Sequence, residues 1–537
     1  MRFRRRHFLF SAAGTALGAG AAQSAPLGGQ QTGIAPARVE ESVKKKSEPE
    51  RRLDIALFSD VEDIFSPPEL GNDDSIKQLA TILTEEGLRA NFLFIGERAL
   101  VLKERGRRDV IDSLDPHEVG LHSRSAHHPE IPEYVAGKSW EDGVAECLKH
   151  EKEGAEIIRG IFHKPCVALS THNLYTAPHV HRAAAILGVP YVYAYPAAPP
   201  LYSLSWYAGA LGLPWESPTL DGKPILGYLE GFDDTYPYTP AFEAYLAKLD
   251  RLIDDCLAGG QPFLTLFLFH PQRLRLKDFI DYYWSPNGVN YPKQRWGMYG
   301  RPPVYTPELV KTSLANFRRL ARWVRNDPRL NVMTVPEVAA KYGKQPAVIT
   351  REELLDAARQ ITGGNEILIH PRFSPAEILV GLARALVLSA GHNQIPNEVA
   401  RDNVLGPTRS PIWIPELAGA AHQTLVQFAR QLIDHVKSTG ELPATLGAPL
   451  ERVGINHLYR VFADTYVAMT LGATPAEVKF RESFNHGFPP WPKIGSMIGI
   501  QFLKTVEGVL MNPDTDVNTL YRDGKLQTWT LKPAVAS

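Results

Sequence analysis

Residues 53–65 read LDIALFSDVEDIF. The first seven, LDIALFS at 53–59, form a short apolar run, the pattern of a strand buried on both faces in a parallel sheet. The run gives way at once to Asp60, Glu62 and Asp63, three carboxylates in four residues that repel one another when ionised. A divalent cation relieves that repulsion and leaves one carboxylate as a base. Acidic loops are also common without any ion, so the weight of the reading falls on what surrounds this stretch.

Downstream, apolar runs alternate with helical periodicity. SIKQLATILTEEG (75–87) predicts a helix with Ile76, Leu79, Ala80 and Leu83 on one face, closed by Gly87. RANFLFIG (89–96) and HEVGLHS (117–123) predict the next two strands. HRAAAILG (181–188) predicts a helix feeding the strand VPYVYAY (189–195), and PFLTLFLFH (262–270) a long apolar strand ending in His270. An amphipathic helix over 309–326 and a last strand and short helix over 330–343 complete the series. Repeated βα units over 51–345 predict an α/β fold, an irregular barrel of parallel strands wrapped by helices. An open doubly wound sheet has the same periodicity.

Past 345 the pattern changes. Pro346 sits in the link, Thr350 with Glu353 makes a capping box, and residues 346–537 predict an all-α domain. Two related helix-loop-helix units recur there. REELLDAARQIT leads to FSPAEILVGLARAL (373–386), and HQTLVQFARQLIDHVKSTGELP leads to VGINHLYRVFADTYVAM (453–469).

Arg4, Arg5 and Arg6 precede Phe8, Leu9 and Phe10, and a small-residue run then reaches Ala25. RRHFLF resembles a twin-arginine export signal, so residues 1–25 are expected to be a signal peptide and 26–50, rich in Gly, Pro, Glu and Lys, a disordered linker. The expected location is periplasmic or cell-surface, with membrane contact only through an uncleaved signal. Lys plus Arg (58) nearly balance Asp plus Glu (59), so no global field favours nucleic acid or an anionic membrane. Cys147, Cys166 and Cys256 form no CxxC pair and read as free buried thiols.

The strand over 117–123 delivers His122, and His127, His128 and Pro129 follow within seven residues. Neutral imidazoles are common ligands of zinc and related metals. In a parallel barrel every strand C-terminus opens on one face, so Asp60, His122 and His270 converge although far apart in sequence. The implied chemistry is hydrolysis of an unactivated carbonyl derivative by an activated water, with a carboxylate as base and a histidine as acid. The N/O donor set suits zinc first, with cobalt, nickel or manganese also accepted. Tyr191, Tyr193, Tyr195, Trp206, Tyr207 and Trp215 offer rings for sugar stacking, though the strand tyrosines equally suit a core.

FSDVEDIF, GLHSRSAHHP and LFLFHP, in this order, resemble the motifs of the polysaccharide deacetylase (NodB-homology) family over about 53–345. The resemblance implies a NodB-type barrel that removes acetyl groups from an N-acetylated polysaccharide or cell-wall glycan. It implies Asp60 as base, His270 as acid, and metal ligands from Glu62 or Asp63, His122, and His127 or His128. The family's arginine motif is missing, FHKPCVALSTHNLY standing at 162–175, and so is its Asp-Trp motif. His163, His172 and His179 are candidates to rebuild the pocket. TGELPATLG and INHLYRVFADTY faintly resemble pseudomurein-binding repeats. Two other functions remain open: an idle carbohydrate-binding protein on the same barrel, and a hydrolase of a small amide or ureide.

Overall fold

The strand that opens the described chain, β1 (Leu53–Val61), is buried along its whole length. Strand pleating sends alternate side chains to opposite faces. Leu53, Ile55 and Leu57 join the core shared with the surrounding helices. Ala56 and Phe58 join a second, inner core. The same alternation carries Asp60 to the inner face, and Glu62 continues it.

The computed structural model describes residues 52–126, 129–172, 177–193, 198, 203–213, 217–220, 223–225, 233–279, 302–392, 394–411, 419–447, 453–480, 489 and 516–537. The signal-like segment and the linker lie outside them. After β1 come α1 (Asn72–Glu85), β2 (Asn91–Phe94), α2 (Gly96–Glu104), α3 (Arg108–Asp112), β3 (Glu118–His122), α4 (Ile131–Val135) and α5 (Trp140–Phe162). Then follow β4 (Ala168–Ser170), α6 (Pro178–Leu187), β5 (Tyr191–Tyr193), β6 (Ser205–Tyr207), β7 (Ala210–Leu213) and a hairpin of β8 (Ser217–Leu220) with β9 (Lys223–Ile225). Helix α7 (Thr239–Ala258), β10 (Phe263–Phe267), α8 (Pro307–Asn326), β11 (Leu330–Met333) and α9 (Val335–Tyr342) complete this half.

Strands β10, β1, β2, β3, β4, β5 and β7 pair in parallel in that order. Along one edge β1 pairs first with β11, through residues 53–56, and then with β2, through 58–61. The sheet therefore curls around the inner core as an irregular parallel (β/α) barrel. Gly120 in β3 is required by that curl, because a Cβ there would lie 2.6 Å from Leu93 and 2.9 Å from the Ala168 carbonyl oxygen. At the barrel floor Asp54 accepts from Asn331 at 2.7 Å and from the Lys341 ammonium and Tyr342 hydroxyl at 2.5 Å. The opposite rim is left to the chemistry.

The second half holds two copies of one small plan. In the first, β12 (Val348–Thr350), α10 (Arg351–Gly363), α11 (Pro375–His392) and β13 (Glu398–Ala400) are bracketed by an antiparallel β12–β13 pair. In the second, β14 (Gly419–Ala421), α12 (His422–Thr439), the short β15 (Thr445–Leu446) and β16 (Val453–Gly454), α13 (Ile455–Thr470) and β17 (Glu477–Lys479) are bracketed by β14–β17. Helix α10 packs on α13, and α11 on both α12 and α13, around a separate apolar core. The capping box at Thr350 and Glu353 is present. The chain then returns through α14 (Val517–Gln527) to β18 (Lys532–Pro533), which pairs antiparallel with β6 of the barrel sheet. The described residues from 52 onward accordingly belong to one compact unit. No helix among the described residues is long and apolar enough to cross a membrane.

Candidate metal and acid-base site

Asp60, Glu62 and His122 meet at the barrel rim, with one donor atom from each within 4.8 Å of the others. His122 Nε2 lies 2.9 Å from Glu62 Oε1 and 3.8 Å from Asp60 Oδ2. The other ring nitrogen, Nδ1, is hydrogen-bonded to the Ser170 hydroxyl at the end of β4. That contact fixes which nitrogen faces the carboxylates. Asp60 Oδ1 is buried without a hydrogen-bond partner. Two carboxylates and an imidazole, one bearing an orphaned oxygen, form a donor set that fits a divalent cation, whose ligand bonds run about 2.0–2.2 Å.

Across from this group stands His270. Ser59 Oγ donates to the Phe269 carbonyl at 2.5 Å, tying the arm that carries the histidine to the end of β1. His270 Nε2 lies 3.8 Å from Glu62 Oε1, while Nδ1 sits 2.6 Å from Asp233 Oδ2. The backbone amide of His270 donates to Asp233 Oδ1 at 3.1 Å, so one carboxylate grips both ring and main chain. Gln272 Nε2 approaches the far oxygen of Glu62 at 3.5 Å.

The electrostatics separate the two acids. Burial pushes the Asp60 carboxyl above its usual range, against the opposing pull of His122 and His270. Burial also opposes ionisation of Glu62, but the charge of His270, the hydrogen bond from His122 and the charge of His172 prevail and bring it down to about 2. Burial disfavours the charged form of His270, yet Asp233 and Glu62 raise it to about 9. One carboxyl is thus proton-hungry, the second a firm anion, and the histidine a held proton.

Asp63 does not join the cluster. Its Oδ1 accepts from the amides of Phe65 and Ser66 at 3.0 and 2.8 Å, and its Oδ2 from Asn72 Nδ2 at 2.6 Å. It lies two residues past the end of β1, where its side chain turns back on the chain and braces the loop instead. His127 and His128 lie outside the described residues, as do Tyr195, Trp215 and residues 280–301. His163 ends α5 in the left-handed conformation, φ 55°. His179 is buried against Trp140 and 3.5 Å from Asp523. Tyr191 and Tyr207 are core residues, with the Tyr207 hydroxyl donating to the Gly524 carbonyl. His172 does reach the site, edge-on to His122. Asp233 and Ser170 escaped the sequence reading. Asp233 stands in GFDD, with no tryptophan beside it, and its histidine is 37 residues away.

No protein-family profile matches the chain, and no curated protein matches it. Solved structures similar to it include a probable polysaccharide deacetylase from Pseudomonas aeruginosa PAO1, at 11% identity and TM-score 0.33, covering 55% of this chain and 93% of that one. The Puue allantoinase gives 11% identity and TM-score 0.33 over the same shares, 55% and 93%. The peptidoglycan deacetylase PdaC from Bacillus subtilis gives 14% identity and TM-score 0.25, again over 55% and 93%. The similarity spans about half of this chain.

Proposed function

We propose that this chain is an exported, metal-dependent hydrolase of carbon–nitrogen bonds, acting on N-acetyl groups of a cell-wall or surface polysaccharide. The observation that carries the reading is the opposition at one rim of Asp60, Glu62 and His122 to a His270–Asp233 pair. A divalent cation, zinc first among the candidates, would be held by Glu62 and His122 and by His127 or His128, and supplies Lewis acidity and a water of lowered pKa. Asp60 sits in a dry pocket that favours proton uptake, and takes the proton from water. His270 carries a proton on Nε2, because Asp233 holds Nδ1–H, and delivers it to the departing amine. Proton transfer of this kind contributes roughly 10²–10⁴-fold each way.

The segment RRHFLF supports export as a folded protein. Residues 51–345 are the catalytic part in this reading, and 346–537 a helical domain that seats the substrate polymer.

The purified protein should release acetate from chitooligosaccharide or from peptidoglycan, and lose that activity on chelation and in Asp60→Asn. Sugar binding with no acetate release, unchanged by Asp60→Asn, would mark an idle binding protein instead. Turnover of small cyclic amides alone would move the substrate to that class.

A further inference from the structure

We infer that His172, held by Glu130, is a positioning residue of the metal site, one that fixes the plane of the His122 ring. The inference rests on the metal reading above and adds to it a residue that acts through the His122 ring.

The argument begins at the ends of β3 and β4. Ser123 N donates to the Ser170 carbonyl at 3.1 Å, continuing the ladder one residue beyond His122. Ser123 itself takes φ 62°, a left-handed conformation that is strained for a non-glycine residue. Strain of this sort persists only where the surroundings fix it. Here the fixing contact is visible, since the Ser123 hydroxyl accepts from the backbone amide of His172 at 3.0 Å. The strained residue following a candidate ligand thus serves to seat His172.

His172 is 2% exposed and Glu130 7%. The His172 ring places Nδ1 3.5 Å from Glu130 Oε1. Its ring meets that of His122 edge-on, with centroids 5.8 Å apart and planes at 84°. The χ2 torsion of a histidine is broad and soft, so one hydrogen bond leaves the ring free to rock. Ser170 holds His122 at Nδ1. His172 closes off the flank, and Nε2 is left aimed at Glu62 and Asp60. Glu130 also begins α4 in a capping box with Glu133, so the support reaches back to the first turn of a helix. The arrangement is a file of two imidazoles with an acid at each end: Glu130, His172, His122, Glu62.

Competition against a chromophoric chelator measures Zn²⁺ affinity, and the visible spectrum of the Co²⁺-loaded protein reports ligand geometry. Outer-shell partners of metal-bound histidines typically contribute 10–100-fold in affinity, and His172→Ala should lose that much and shift the Co²⁺ bands. His172→Phe, with a flat ring but no nitrogen for Glu130 to hold, should be as weak as His172→Ala. Glu130→Gln should lose several-fold, and serves if the His172 variants fail to fold. Wild-type affinity and spectrum in all three variants would overturn the inference alone. Full recovery in His172→Phe would overturn it too, since bulk would then suffice. Failure of the wild-type chain to take up Zn²⁺ or Co²⁺ would remove the metal reading itself, and this inference with it.

Discussion

At the scale of single residues, the acids and the histidine differ in what a neutral replacement removes. Asp60→Asn keeps shape and loses the proton acceptor, so acetate release should fall by about 10²–10⁴-fold while Zn²⁺ uptake, led by Glu62 and His122, persists. Equal loss of uptake and turnover would make Asp60 a ligand rather than a base. Asp233→Asn tests the acid. The folded His270 value, about 9, lies above the ordinary imidazole value of 6.5, so the proton is held more tightly in the native state. The stability this supplies is complete below pH 6.5 and is lost as pH rises towards 9. In metal-free protein the advantage of wild type over Asp233→Asn, measured by urea unfolding, should therefore be largest near pH 6 and shrink by pH 9. The basic limb of kcat/KM should also move to lower pH. Asp60 and Glu62 were legible through the resemblance of FSDVEDIF to a family motif, and the fold brings both beside His122. That Asp63 accepts from the Phe65 and Ser66 amides instead was concealed by the density of acids in the stretch. Asp233 was illegible because its meaning depends on a histidine that only the fold brings near.

Elements explain how His122 is delivered. Helix α5 runs behind β3, and Gly154 lets the two touch. A Cβ there would meet Leu121 at 2.7 Å and the Arg124 backbone at 3.1 Å. Gly154→Ala should displace the loop that leaves His122 and cost about 1–3 kcal/mol as an overpacked contact. Thermal unfolding and Zn²⁺ titration would both register it, and wild-type values in both would show that the loop gives way freely. Beside Gly154, Glu151 accepts from the Tyr134 hydroxyl at 2.9 Å and from the Arg124 amide at 3.0 Å. Burial raises its carboxyl to about 7 from 4.5. An acid raised in the folded state destabilises increasingly as pH climbs from 4.5 to 7, and the loss is complete above that. Glu151→Gln should gain stability relative to wild type across that window and hold the gain at pH 8, read by chemical denaturation at several pH values. The sequence made the strand within 262–270 plain, because a short apolar run rich in Phe and Leu and stopped by Pro271 suits a buried strand, though the ladder closes at Phe267, three residues before His270. It left α5 unmarked, since EDGVAECLKHEKEGAEIIRG alternates charge with small residues and carries only a thin apolar stripe. The strands at one end of the sheet, β7, β6 and β18, are too short to show a period at all.

For the molecule as a whole, the change of composition near 346 was legible and the return of the chain was not. Residues 528–537 belong to both halves at once. Trp529 is fully buried in the helical core, edge-on to Tyr459 with centroids 5.5 Å apart. Three residues later β18 lies against β6, and Thr530 Oγ1 accepts from the Ala208 amide at 2.7 Å. Lys532 sends its ammonium inward to Glu377 at 2.6 and 2.8 Å and to Gln345 at 2.7 Å, and Arg401 shares Glu377 at 2.6 Å. Nothing local in TWTLKPAVAS announces this, because each contact is with a residue more than fifty positions away. Such a clasp couples the stability of the two cores. Trp529→Ala removes a large ring from the helical core, a change that costs about 3–5 kcal/mol. Lys532→Met leaves Glu377 with Arg401, so it should cost less than the roughly 3–5 kcal/mol of a stranded buried charge. If the clasp holds the halves together, wild type unfolds in urea with coincident far-ultraviolet and tryptophan transitions, and the double variant splits into two. Coincident transitions that merely shift to lower urea in the double variant would place the coupling elsewhere, in the packing of α14 against α4 and α6.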